Sequence, residues 1–317
     1  METLWKSVVE LSGKSRLLNS LLPTAIFLTG LGALYVDAQS GWQNLFQWWQ
    51  TLAINTQLIL VAASLLFVVA VAAPFDVFTP TFLRWAEGYW SDNRLLRWLY
   101  ERRAAHHRRN VEQSQRQFGE MRDKQDRGML SRQEEHSVQQ LDELLHYYPP
   151  DPQRIMPTFL GNVIRAAEEY SRNRYGLDPI VTWVRLYPSI SSTIQDALEG
   201  NLTTLNLAVR LIVQIIFFAI IGVSFELVEG KWFMGLLVLV TGWIIARLSY
   251  QAAIQSAKSY SELIRSAFDL HRFDLYTSLH LPLPIKNGDK EQKSGDILTR
   301  FLWRGDVDIQ YKHTEKK

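Results

Sequence analysis

Cysteine is absent from the 317 residues, which excludes disulfides, a cysteine nucleophile and any thiolate metal site. Three motifs are also missing: a phosphate-cradling glycine loop, an HExxH zinc pair and a GxSxG elbow. Each would have placed a reactive group on a defined turn or helix face. Histidines are few and scattered; His106 and His107, being adjacent, point to different helix faces and could share a metal only with ligands from elsewhere. The acidic pairs Glu134–Glu135 and Glu168–Glu169 lie in polar helical stretches, where solvation explains them better than acid–base chemistry. The expectation is a non-enzymatic protein with no catalytic residue, cofactor or metal.

Charge is lacking too, but only in places. A hydrophobic content of 47% and a mean hydropathy of −0.09 would suit a soluble chain, yet the apolar residues are gathered into four blocks while residues 101–146 hold few. Residues 17–36 (LLNSLLPTAIFLTGLGALYV) and 53–75 (AINTQLILVAASLLFVVAVAAPF) carry no charge. Rising about 1.5 Å per residue, each can cross a hydrocarbon core of roughly 30 Å. Residues 211–225 reach that length when extended back through Arg210, whose stem can snorkel its charge to the headgroups. Residues 232–246 end at Arg247 in the same way, and only ELVEGK separates these last two blocks, so they read as a hairpin. Cleavage of the first block as a signal peptide, after Val36-Asp37-Ala38, is disfavoured because the run exceeds the usual apolar core of about 7–15 residues.

Lysine and arginine are unevenly placed. Lys6, Lys14 and Arg16 precede the first block, residues 37–52 have none, and the second hairpin loop has only Lys231; Arg84, Arg94 and Arg97 follow the second block, and Arg247, Lys258 and Arg265 the fourth. The positive-inside rule then puts both termini and the middle region in the cytoplasm. The expected fold is an all-α integral membrane protein of four transmembrane helices, arranged as two hairpins flanking a cytoplasmic helical domain. Its divisions are a cytoplasmic segment 1–16, a first hairpin 17–78, a cytoplasmic domain 79–200, a second hairpin 201–250, a cytoplasmic extension of the fourth helix 251–281, and a linker and tail 282–317. Leu263, Ala267, Leu270 and Phe273 form the expected packing stripe of that extension.

Trp42, Phe46 and Trp49 recur at helical spacing in the outer loop and suit an interfacial helix anchored by its indoles. Trp85, Tyr89, Trp90, Trp98 and Tyr100 alternate with Arg94 and Arg97, as in a chain leaving the inner interface. Arg102, Arg103, Arg108 and Arg109 form a basic cluster fit to face anionic lipid headgroups. Nucleic acid is not expected, because no aromatics interleave with these arginines. Val111, Phe118 and Met121, then Val138, Leu141, Leu145 and Tyr148, outline a helical hairpin restarted by the capping box SRQE. Its apolar seam is thin, which favours a homo-oligomer.

PTFLGNVIRAAEEYSRNRYGLDP, residues 157–179, reads as an amphipathic helix with Phe159, Val163, Ala167 and Tyr170 on one face. Asn162, Arg165, Glu169 and Arg172 lie opposite, with Glu168 placed to pair with Arg172. Gly176, Leu177 and Pro179 make a helix stop, and Gly161 costs about 1 kcal/mol in a helix unless a close contact demands it. The charges are either solvated or, with Arg174, a docking face for a cytoplasmic protein partner or an anionic ligand. VTWVRLYPSI suits a short extended or interfacial segment, and Ser192 with Gln195 suits a helix cap. Arg210 and Gln214, one turn apart in the third block, are the intramembrane polar candidates; snorkelling and interhelical bonding are favoured over a water path. Gly235, Gly242, Ala63 and Ala70 offer close helix approach.

Together with YSELIRSAFDLHRFDLYTSLHLPLP, the stretch at 157–179 resembles segments of an uncharacterised family of bacterial multi-pass membrane proteins. That resemblance implies a bacterial inner-membrane location and carries no activity. The leading functional reading is a membrane-anchored interaction or sensing protein working through its cytoplasmic helices. An oligomeric ion channel or pore gated by that domain is the alternative, and a membrane-bound enzyme of unknown class the second.

Overall fold

The computed structural model describes residues 21–37, 39, 41–90, 93–305, 308 and 311–312. Among them there is helix and no strand. The helices are α1 (Leu21–Asp37), α2 (Gly41–Thr51), α3 (Ile54–Glu87), α4 (Arg94–Asp126), α5 (Arg132–His146), α6 (Phe159–Tyr175), α7 (Pro179–Leu186), α8 (Ser192–Val228), α9 (Trp232–Ser278) and α10 (Asp289–Arg304). Two compact units result: an apolar one of Met1–Leu83 with Thr204–Ala253, and a polar one of Arg84–Thr203 with Ile254–Lys317. The N-terminal segment 1–16 and the first residues of the 17–36 block lie outside the described residues.

α3, α8 and α9 are each long and apolar enough to cross a membrane. Only 6% of the apolar window of α3 is covered by the rest of the chain, so its side chains face outward, as lipid-facing residues do. α1 and α2, which meet at 106°, would count as a further span only when taken as a pair. Within the apolar unit Phe27 sets α1 edge-on against Phe75 of α3 and Phe218 of α8, with ring centroids 6.4 and 6.3 Å apart. Gly222 of α8 admits Leu34 and Val238, and Gly242 of α9 faces Ala219. Of the small residues read as approach points, Gly235 and Gly242 do lie against α8; Ala63 and Ala70 are exposed. α3 runs through Pro74 and Pro80 to Glu87.

In the polar unit α4 and α5 form the expected hairpin. Ser131 caps α5 by accepting from the Glu134 N–H at 3.3 Å, and Glu134 Oε2 accepts from the Ser131 N–H at 3.0 Å. These bonds, the Ser131 backbone donor foremost and Lys124 next, hold the Glu134 carboxyl down at about 2. Ser131→Ala should therefore loosen α5 by about 1 kcal/mol, read as lost amide-exchange protection. The carboxylate's own contribution is present above its ordinary range near 4.5 and is lost as the pH falls towards 2.

Four expectations for this unit are corrected. Residues 181–190 are not an extended segment: α7 and a 3-10 turn at Tyr187–Ser189 cover 181–189, and Asp178, whose side chain accepts from the Ile180 N–H, opens α7. Within 282–317, expected as linker and tail, residues 289–304 form α10, which packs on α6, where a Cβ on Gly295 would overlap the Tyr175 carbonyl and one on Gly176 the Gln292 carbonyl. The α9 extension is one continuous helix as expected, 47 residues in all, but Leu270 and Phe273 are exposed. Phe268, Leu275 and Tyr276 take the core position instead, with Leu186, Leu177 and Leu298. Ser192 is the first residue of α8 and not its cap, and Gln195 donates instead to the Tyr187 and Ile190 carbonyls.

Candidate functional site

Each sequence candidate has a place. Arg210 does not snorkel. It is buried, its Nη2 lies 2.7 Å from Asp76 Oδ1, and its Nε donates to Thr79 Oγ1 at 3.4 Å. Gln214, one turn on, donates to Thr24 Oγ1 at 2.8 Å, while its Oε1 is buried with no partner. The pair thus bonds between helices of the apolar unit, the outcome favoured for polar groups away from water.

The basic cluster divides. Arg102 stacks on Trp98, 5.3 Å from its centroid; Arg103 and Arg109 are exposed, and Arg108 is half-buried. His107 is tied to Tyr148 at 2.9 Å and held below its usual range, by burial first and then by His106 and Arg103. Among the described residues no group of three or more potential ligands could hold a metal ion.

The proposed docking face is dispersed, and two of its members are structural. Asn162 is fully buried. Its side chain accepts from the Met156 N–H at 2.7 Å and donates to the Met156 and Thr158 carbonyls at 3.0 and 2.8 Å, fastening the loop that leads into α6. Glu169 is buried against Arg154, 2.7 Å away. Arg165 donates to Tyr89 at 2.9 Å and sits 3.9 Å from Glu168; Arg172 pairs with Asp178. The expected Glu168–Arg172 pair does not form: Glu168 faces Arg165 one turn back on the same helix, and Arg172 pairs with Asp178 beyond the helix end. The helix stop does form: Gly176 has φ +70° and donates to Arg172, and the Leu177 N–H reaches the Ser171 carbonyl at 3.2 Å.

Arg174 alone of that set lines a cleft. With Leu145, His146, Tyr148, Pro150, Ala166, Tyr170, Asn173 and Arg265 it borders an open space of about 330 Å³. Tyr170 separates the two cations, with Arg174 5.5 Å and Arg265 5.4 Å from its ring centroid, and its hydroxyl donates to Asp269 at 2.9 Å. Burial, then Asp269, pushes the Tyr170 hydroxyl above its usual range. Arg265 is buried, 6% exposed. Its Nη2 donates to the His146 carbonyl at 2.8 Å and its Nη1 meets His146 Nε2, while its Nε is buried with no partner. His146 Nε2 also lies 2.9 Å from Glu262 Oε1. The two contacts make opposite demands: accepting from Arg265 needs a bare Nε2, donating to Glu262 a protonated one. Burial and then Arg265 hold the ring below its usual range, which favours the bare form.

No family model, curated protein or solved structure matches the chain. A larger gap of about 540 Å³ runs between α4 and α5, but of its two charged lining residues, Glu120 and Lys124, the lysine is already paired with Glu134. The cleft brings together two guanidiniums, an imidazole, a carboxamide and two phenols. Sequence spacing could not have joined it, since His146 and Arg265 are 119 residues apart.

Proposed function

We propose that the chain is an inner-membrane protein with four spans, α1 serving as the first beside α3, α8 and α9. Both termini and the polar unit face the cytoplasm. It is non-enzymatic and works by interaction or sensing through the polar unit, as a homo-oligomer. The observation that carries this reading is the cationic cleft, set in a unit whose frame is fixed by direct contacts of helix glycines with neighbouring carbonyls. The lysine and arginine distribution supports the orientation. Cysteines at Gln43 and Glu229 should react with an impermeant thiol reagent applied to intact cells, and one at the exposed Glu120 should not; labelling at Glu120 would invert the topology. Ser114 would be a poor reporter, because it is buried.

A second reading, an oligomeric ion channel, is favoured by the unpartnered Gln214 Oε1 beside the Arg210 network in the apolar unit. A buried polar atom at membrane depth is retained where it bonds a neighbouring helix or lines a water path. Single-channel recording of the purified protein in planar bilayers decides: conductance altered by Gln214→Leu supports the channel, and electrically silent bilayers remove it.

A further inference from the structure

We infer that the cleft of the polar unit is a binding site for a phosphate group, presented by a small phosphate ester or a lipid headgroup. The inference rests on the sensing reading above and names the chemistry that the sensor takes.

Three features carry it. No carboxylate lines the cleft, whereas Arg174, Arg265 and His146 do. The acidic groups near them are engaged elsewhere or stand outside it: Asp269 accepts from Tyr170 and Tyr175, and Glu262 lies against His146 and Arg265 with its side chain 48% exposed. Second, the buried guanidinium of Arg265 has a donor, its Nε–H, with no acceptor, and a buried unmade hydrogen bond of a charged group is costly. A tetrahedral oxyanion has enough acceptor oxygens to take that donor together with Arg174 and the Asn173 amide, the charge-assisted pattern in which arginine is preferred for phosphate. Third, both guanidiniums sit on the Tyr170 ring, and Asp269, the carboxylate that acts on both of them, accepts from the Tyr170 and Tyr175 hydroxyls. An anion in the cleft adds counter-charge to both and, by drawing off the Arg265 guanidinium, frees His146 to protonate and pair with Glu262. The volume of about 330 Å³ is at the small end of ligand pockets, large enough for a phosphate on a compact body.

The test uses the full chain in nanodiscs of phosphatidylcholine and titrates inorganic phosphate by calorimetry. Arg174→Gln and Asn173→Ala alter the cleft at exposed positions; Arg172→Gln removes the same charge where Asp178 already pairs it, outside the cleft. Wild type and Arg172→Gln should bind phosphate saturably with the same affinity, and Arg174→Gln should bind about tenfold more weakly. Wild type without saturable binding, or an equal loss in Arg172→Gln and Arg174→Gln, would overturn the site. Repeating the titration in discs containing phosphatidylglycerol separates the sources. A weaker apparent phosphate affinity there assigns the headgroup, and an unchanged one assigns a soluble ester. Both faces of a nanodisc are open to solution, so an inverted topology leaves this result intact and the two proposals fail separately.

Discussion

Gly161→Ala should cost the protein about 3 kcal/mol or more, the upper range of overpacking in a closed core. α6 crosses the end of α3 at that residue, and a Cβ there would overlap the carbonyl oxygen of Glu87. That carbonyl also accepts from Thr158 Oγ1 at 2.7 Å, and Thr158 Oγ1 in turn accepts from the Gly161 N–H at 3.0 Å. The new methyl group meets backbone, not a flexible side chain, so relief requires α6 to shift and the cap to break. Gly295→Ala, whose Cβ would overlap the Tyr175 carbonyl, should behave alike. Gly119→Ala is the control: nothing lies within 4 Å of its Cβ, and in mid-helix the change should stabilise by about 0.5–1 kcal/mol. Thermal unfolding of the three variants in detergent reads the contrast. A Gly161→Ala protein as stable as wild type would show that the two helices can separate at little cost.

What the sequence disclosed follows from what short-range patterns encode. Helix ends were legible, because Ser131 with Glu134 and Gly176 with Leu177 carry their hydrogen bonds within a few residues. The long α9 was legible, because nothing in its run of residues interrupts a helix. Gly161 was readable only as an anomaly; its neighbour, Glu87, lies on another helix. The polar face assigned to α6 was wrong for Asn162 and Glu169 because that helix is covered on more than one side, and a buried asparagine that fastens a loop looks in sequence like a solvated one. α10 was missed because its core residue, Leu298, lies among many charges, although Ile297, Leu298, Phe301 and Leu302 do recur at helical spacing. Leu270 and Phe273 fitted an apolar stripe as well as Phe268 and Leu275 do; periodicity finds a face and leaves its rotation open by a residue. The cleft was beyond reach altogether, since only folding sets α5, α6 and α9 around it.

Asp76→Ala should be as damaging as the glycine change, about 3–5 kcal/mol, because it leaves a buried guanidinium without its counter-charge. Arg210 is 8% exposed, and α3, which carries Asp76, is apolar along most of its length. Half of the Asp76 side chain is open, 45% exposed, yet α3 is long and apolar enough to cross a membrane, where that openness would bring no high-dielectric solvent to replace the pair. Arg210→Met in the same chain should restore most of the loss, since replacing both members of such a pair by apolar groups is often close to neutral. The pair therefore predicts strong non-additivity: Asp76→Ala alone is severe, and the double variant lies within about 1 kcal/mol of wild type. Denaturant-resistant folding followed by tryptophan fluorescence measures all four corners of the cycle. If Asp76→Ala alone were neutral, Arg210 would have reached the headgroups after all, and its stem would be snorkelling as an unpaired residue near a span end can.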